Sequence, residues 1–113
     1  MTQARMNWKR LTLDMDGHAD AGPYGKDIVC AAESMLTQAL LQTLIDLEAD
    51  KRCGMQWTGS PEIGFLHVEA APAEGQEETI RTCFRVTVTG LRMLAERYPN
   101  YINLEEDVEN GNL

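Results

Sequence analysis

Basic residues are scarce in this chain. Ten Lys and Arg stand against eighteen Asp and Glu, which gives a formal net charge of −8 over 113 residues. The cations are scattered, so there is no basic face of the kind nucleic-acid binders present, and direct nucleic-acid contact is not expected. An acidic surface instead favours basic partners and steers them in at low salt, or, on the simpler reading, serves solubility alone. Long apolar runs are also lacking: no stretch approaches the eighteen or so apolar residues of a membrane span. The opening "MTQARMNWKRLTLDMDG" has positive charges with no apolar segment behind them, unlike a secretory signal. A cytoplasmic protein is the expectation. Cysteine and histidine are few. Cys30, Cys53 and Cys83 make an odd number with no CxxC pair, which argues against a disulfide framework. His18 and His67 lie far apart without second ligands at zinc-site spacings, so neither a metal nor a cofactor is expected.

What is present suits one ordinary globular domain, with 43% hydrophobic and 25% charged residues. In "WKRLTLDM", Leu11, Leu13 and Met15 alternate with Arg10, Thr12 and Asp14, the pattern of a half-buried strand from Trp8 to Met15. Three glycines and a proline make 17–26 a loop. From Ile28 to about Asp50, Ile28, Met35, Leu36, Ala39, Leu40, Ile45 and Leu47 follow helical spacing. Asp27 stands at the N-cap, and Lys51 and Arg52 follow the last turn. "GFLHVEA" alternates as a second strand, preceded by "TGSPEI" as turn material. A second helix is predicted from about Glu77 to Tyr98 on the stripe Ile80, Phe84, Val88, Leu91, Leu94 and Tyr98, and Pro99 stops it. "YINL" is a short last strand. The order predicts an α+β two-layer sandwich: a small mixed sheet with two long helices on one face. Residues 1–104 would form the domain, and 105–113 an acidic tail that frays.

The chemistry concentrates in "GHADAGPYGKDIVCAAESMLTQAL". With Asp27 as N-cap, Cys30 falls in the first helical turn, where free N–H groups and the helix dipole favour a thiolate and could stabilise an oxyanion. His18 lies twelve residues upstream across the loop, and a Cys–His pair within hydrogen-bond reach is the minimum kit of a thiol hydrolase. The competing reading is a buried first-turn cysteine beside a solvent-facing histidine. Spacing alone leaves both open. Asp14, Asp16 and Asp20 are candidates to orient His18. Cys53 at the helix end, Cys83 in mid-helix and His67 read as structural, and Met55 and Trp57 as core.

The same stretch resembles the signature of the bacterial ribosomal-processing cysteine proteases: Gly-His-Ala, a short loop, then Gly-x-Asp-Ile-Val-Cys-Ala-Ala-x-Ser heading a helix. The match falls at Gly17, His18 and Ala19, then at Gly25, Asp27, Ile28, Val29, Cys30, Ala31, Ala32 and Ser34. "GFLHVEA" and "LAERYPNYI" extend the likeness along nearly the whole chain. The resemblance implies a homodimeric endopeptidase that removes the N-terminal extension of large-subunit ribosomal protein twenty-seven. Cys30 would be the nucleophile and His18 the general base. Gly22, Gly25, Asp27 and Ser34 would serve substrate binding, Gly22 and Gly25 by giving the loop freedom to close over the peptide. The alternative is a non-catalytic dimeric module that docks ribosomal or phage assembly proteins. Family members open with an extra strand before Gly-His-Ala. Only Met1–Asn7 precede "WKRLTLDM", too few for a full strand and a turn, so that strand is expected to be absent, shortened or lost to a misplaced start.

Overall fold

A computed structural model of the chain describes residues 1–18, 27–60 and 64–108. Along the chain run β1 (Thr2–Asn7), β2 (Thr12–Asp16), α1 (Ile28–Ala49), β3 (Cys53–Ser60), β4 (Phe65–Pro72), α2 (Glu77–Arg97) and β5 (Ile102–Asp107). The strands form one mixed sheet in the order β3-β4-β2-β1-β5. Among the described residues, β1 and β5 are the one parallel pair. The two helices pack beside each other, α1 towards β3 and α2 towards β5, so the architecture is the expected α+β sandwich.

Alternation explains the buried face of the sheet. Thr2, Ala4 and Met6 of β1 point inward, opposite Leu13 and Met15 of β2. Leu66, Val68 and Ala70 of β4 continue the layer, and Ile102 of β5 closes it. Onto this layer α2 lays Ile80, Phe84, Val88 and Leu91, all fully buried on the expected stripe. Four such side chains represent roughly 6–12 kcal/mol of apolar burial.

Four elements differ from expectation. The strand read across Trp8–Met15 is two structures: Trp8–Leu11 turn, and β2 begins at Thr12. Asn7 Oδ1 accepts from the Arg10 amide at 3.0 Å, closing the turn, and Leu11 takes a left-handed φ of 52° with its side chain still buried. The opening strand is therefore present, since six residues suffice when β2 and β5 pair it on both sides. Residues 53–60, expected as helix end and turn, form β3, an edge strand paired with β4 along its whole length. β5 runs on to Asp107, so Glu105, Glu106 and Asp107 belong to the sheet rather than to a fraying tail; 109–113 lie outside the described residues.

The inward face of α1 also differs. Val29, Glu33, Thr37, Leu40 and Leu44 are its buried residues, whereas Ile28 and Met35 are each 64% exposed. Polar residues in the inward stripe disguised it. By length and a mean hydropathy of 1.4, α1 is apolar enough to span a membrane, contrary to the reading from apolar runs. Its inward residues belong to the core it shares with the sheet. The helix ends in a Schellman motif: the Lys51 amide donates to Glu48 O and the Arg52 amide to Leu47 O, both at 2.9 Å, with Lys51 left-handed at φ 61°.

Candidate active site

The start of α1 is fixed by its cap. Asp27 sits in extended backbone, and its Oδ1 accepts from the Cys30 amide at 2.9 Å. The Ala31 amide donates to the Asp27 carbonyl at 3.1 Å. This anchors Cys30 in the first turn, half-buried. It also spends the Cys30 amide on the cap, so an oxyanion forming there would have to draw on other donors.

Two glycines set the approach of His18. Gly17 ends β2 with φ +88°, and its amide donates to Gly64 O at 2.8 Å. A Cβ on Gly17 would lie 2.5 Å from the Met1 carbonyl. Gly64, at φ +69°, leads into β4, and a Cβ there would meet His18 Nε2 at 2.7 Å. The imidazole thus rests against the bare face of a glycine that must also be left-handed. This Gly17–Gly64 clasp is a feature that sequence reading missed.

His18 and Cys30 line the same narrow cleft, about 30 Å³ in volume, together with Glu33 and Ser34 of α1. Met15, Phe65 and Leu66 supply its apolar wall. Of the residues expected at the site, the structure brings His18, Cys30 and Ser34 to this cleft, while Asp27 reaches it through the helix cap. Gly22, Gly25 and Asp20 lie outside the described residues.

Asp14 is committed elsewhere. It faces His67 across the β2–β4 pair, with Oδ1 2.5 Å from His67 Nδ1. That hydrogen bond holds the His67 imidazole above its ordinary pKa against the opposing effect of burial, and the charges of Asp14 and Glu69 help. The other two thiols also differ from Cys30 in setting. Cys53 is buried, with Sγ 3.8 Å from Leu44 O, and burial pushes both Cys53 and Cys83 above the usual thiol range. Met55 and Trp57 sit on β3: Met55 packs on the core as expected, but Trp57 is 45% exposed on the edge strand.

Glu33 went unnoticed in the sequence. It is 5% exposed, and Thr2 Oγ1 donates to its Oε1 at 2.7 Å. Burial lifts its carboxyl to about 7, with the Thr2 hydrogen bond working the other way. The available signal was its position: 29, 33, 37, 40 and 44 form one helical face, and a carboxyl on it is an anomaly.

Residues 1–103 match the family Cysteine protease Prp. The chain is 28% identical over 96 residues to Ribosomal processing cysteine protease Prp of Staphylococcus aureus, 80% of each sequence being covered. The fold is similar to the crystal structure of the essential ribosomal processing protease Prp from S. aureus in complex with a covalently linked product peptide. The TM-score is 0.80 at 23% identity, over 95% of this chain and 100% of that one. It is also similar to SMU.848 from Streptococcus mutans, with a TM-score of 0.68 at 24% identity, over 96% and 93% of the two chains.

Proposed function

Because the chain belongs to the Prp family of cysteine proteases, we propose that it is an endopeptidase that removes the N-terminal extension of large-subunit ribosomal protein twenty-seven. The observation that carries this reading is the shared cleft of His18 and Cys30 at the N-terminus of α1. Cys30 Sγ, giving its proton to His18, attacks the scissile carbonyl. The tetrahedral oxyanion collapses as His18 returns that proton to the departing amine, which is the new N-terminus of the mature protein. The extension stays on Cys30 as a thioester. Water, deprotonated by His18, then attacks the thioester and releases the extension with a free carboxylate. A covalently linked product peptide on the S. aureus relative suits such an intermediate.

Ser34, one turn beyond Cys30 in the cleft, hydrogen-bonds the peptide. Asp27 contributes by holding the helix start, and Gly22 and Gly25 belong to the substrate loop that the motif implies. The net charge of −8 favours a basic ribosomal protein as partner. The enzyme works in the cytoplasm as a homodimer. In support of the dimer, Ile28 and Met93 are more than half exposed beside Leu36 and Leu94, forming an apolar groove on the outer face of the helices.

The test is cleavage of the extended ribosomal protein at neutral pH under reducing conditions, with wild type beside Cys30→Ala and His18→Ala. One cut near the substrate N-terminus, lost in both variants, is expected. Binding of the substrate without a cut would replace the protease with a docking module.

A further inference from the structure

Glu33 lies one helical turn beyond Cys30, on the stripe of α1 that faces the sheet. A carboxyl there is expensive, because a polar group out of water needs every hydrogen bond it can make. Oε1 has its partner in Thr2 Oγ1. Oε2 is buried with no hydrogen-bond partner among the described residues. An apolar side chain would fill the same place without that cost, so packing does not account for a glutamate. Yet Glu33 forms part of the cleft wall that His18, Cys30 and Ser34 complete.

We propose that Glu33 is a positioning residue for the nucleophile: protonated, it leaves the Cys30 thiolate free to form, and ionised, it sets a negative charge one turn away that opposes it. This rests on the reading of Cys30 as the nucleophile. No bond is made or broken at Glu33; its proton passes to solvent as the pH rises.

The surroundings tune that proton to the working range. Burial is the largest influence and raises the carboxyl to about 7. The Thr2 hydrogen bond lowers it, the Asp27 carboxylate raises it and the Met1 amino group lowers it. His18 and Cys30 face the same space across the cleft. Side chains at i and i+3 on a helix stand about 5–6 Å apart at Cβ. At that separation, with an effective dielectric near 20, one charge shifts another group by up to about two pKa units, and less where solvent screens the pair.

The experiment follows the rate of Cys30 alkylation by iodoacetamide between about pH 5 and 9. Peptide mass spectrometry would compare wild type, Glu33→Gln and Thr2→Val, with circular dichroism to confirm folding. Glutamine keeps the shape and cannot ionise. Its alkylation midpoint is expected to fall about one to two units below wild type, with a steeper profile. Thr2→Val removes a donor that favours ionised Glu33, so its profile should lie between the two. If Glu33→Gln does not fold, Thr2→Val decides alone. Difference infrared spectroscopy supplies a second readout: a protonated carboxyl band at pH 6, absent from Glu33→Gln where that variant folds. Superimposable alkylation profiles in the folded variants would overturn the proposal, as would the absence of that band from wild type. Shifted profiles in a protein that cuts no substrate would sink the protease reading, and with it the role at a nucleophile, and leave only the electrostatic coupling of Glu33 to the Cys30 thiol.

Discussion

Substituting Gly64 by alanine should damage activity far more than stability. The position carries two separate demands. Its φ of +69° disfavours any Cβ, a cost of roughly 1–2 kcal/mol. The added methyl would also stand 2.7 Å from His18 Nε2, well inside contact distance. The neighbour that must give way is the tip of a side chain, so folding loses little more as the ring swings aside. Catalysis has less tolerance. A displacement of several tenths of an ångström or more at His18, the proposed general base, should lower kcat/KM on the order of 10- to 100-fold. Gly75→Ala is the control. Gly75 has a comparable φ of +80° with open space where the Cβ would go, so it isolates the backbone cost. The assay pairs urea denaturation of both variants with cleavage of the extended ribosomal protein. The expected result is similar losses of stability, about 1–2 kcal/mol each, and a loss of activity confined to Gly64→Ala. Equal activity in the two variants would refute the view that this glycine seats the histidine.

Three further outcomes follow from particular residues. Glu33 has its folded-state pKa raised from 4.5 to about 7, so it binds more protons folded than unfolded, and stability is lost as the pH rises between those values. At pH 8 Glu33→Gln should therefore be more stable than wild type, on the order of 2–3 kcal/mol by urea denaturation, with the gain gone below about pH 4.5. Lys51→Gly should stabilise by about 1 kcal/mol in thermal melts, because glycine takes the left-handed position of the Schellman motif without strain. Asp14→Asn should bring the His67 pKa down, as read by NMR titration. The Asp14–His67 pair supports the fold below the ordinary histidine pKa, and its support fades as the pH rises through the raised folded value.

Much of the architecture was legible because periodicity reports burial. The α2 stripe Ile80–Phe84–Val88–Leu91 and the β4 alternation Leu66–Val68–Ala70 could be read directly, and Asp27 announced the helix start at the right residue. Reading failed where hydrophobicity and burial part company. On α1, Met35 and Ile28 are apolar and exposed, while Glu33 and Thr37 are polar and buried, so the strongest apolar pattern pointed outward. The sequence "CGMQWTGS" is strand only because β4 pairs with it, a long-range cause that leaves no local period. The first strand was discounted on length, yet a strand held on both edges needs few residues of its own. At the site, the residue types were legible and their seating was not. Nothing near Gly64 in the chain signals that a histidine 46 positions earlier would lie against it.

The parallel pairing of β1 with β5 has a practical consequence for anyone handling this protein. Thr2 lies beside Ile102 and Asn7 beside Asp107, so the two strands start together and finish together. Thr2 also borders the cleft that His18 and Cys30 line. A purification tag or fluorophore joined ahead of Met1 would therefore emerge next to that cleft, where the proposed substrate would dock. Asp107 itself sits at the opposite rim of the sheet, roughly 17 Å away at strand rise. Labels for binding or turnover work belong at that end.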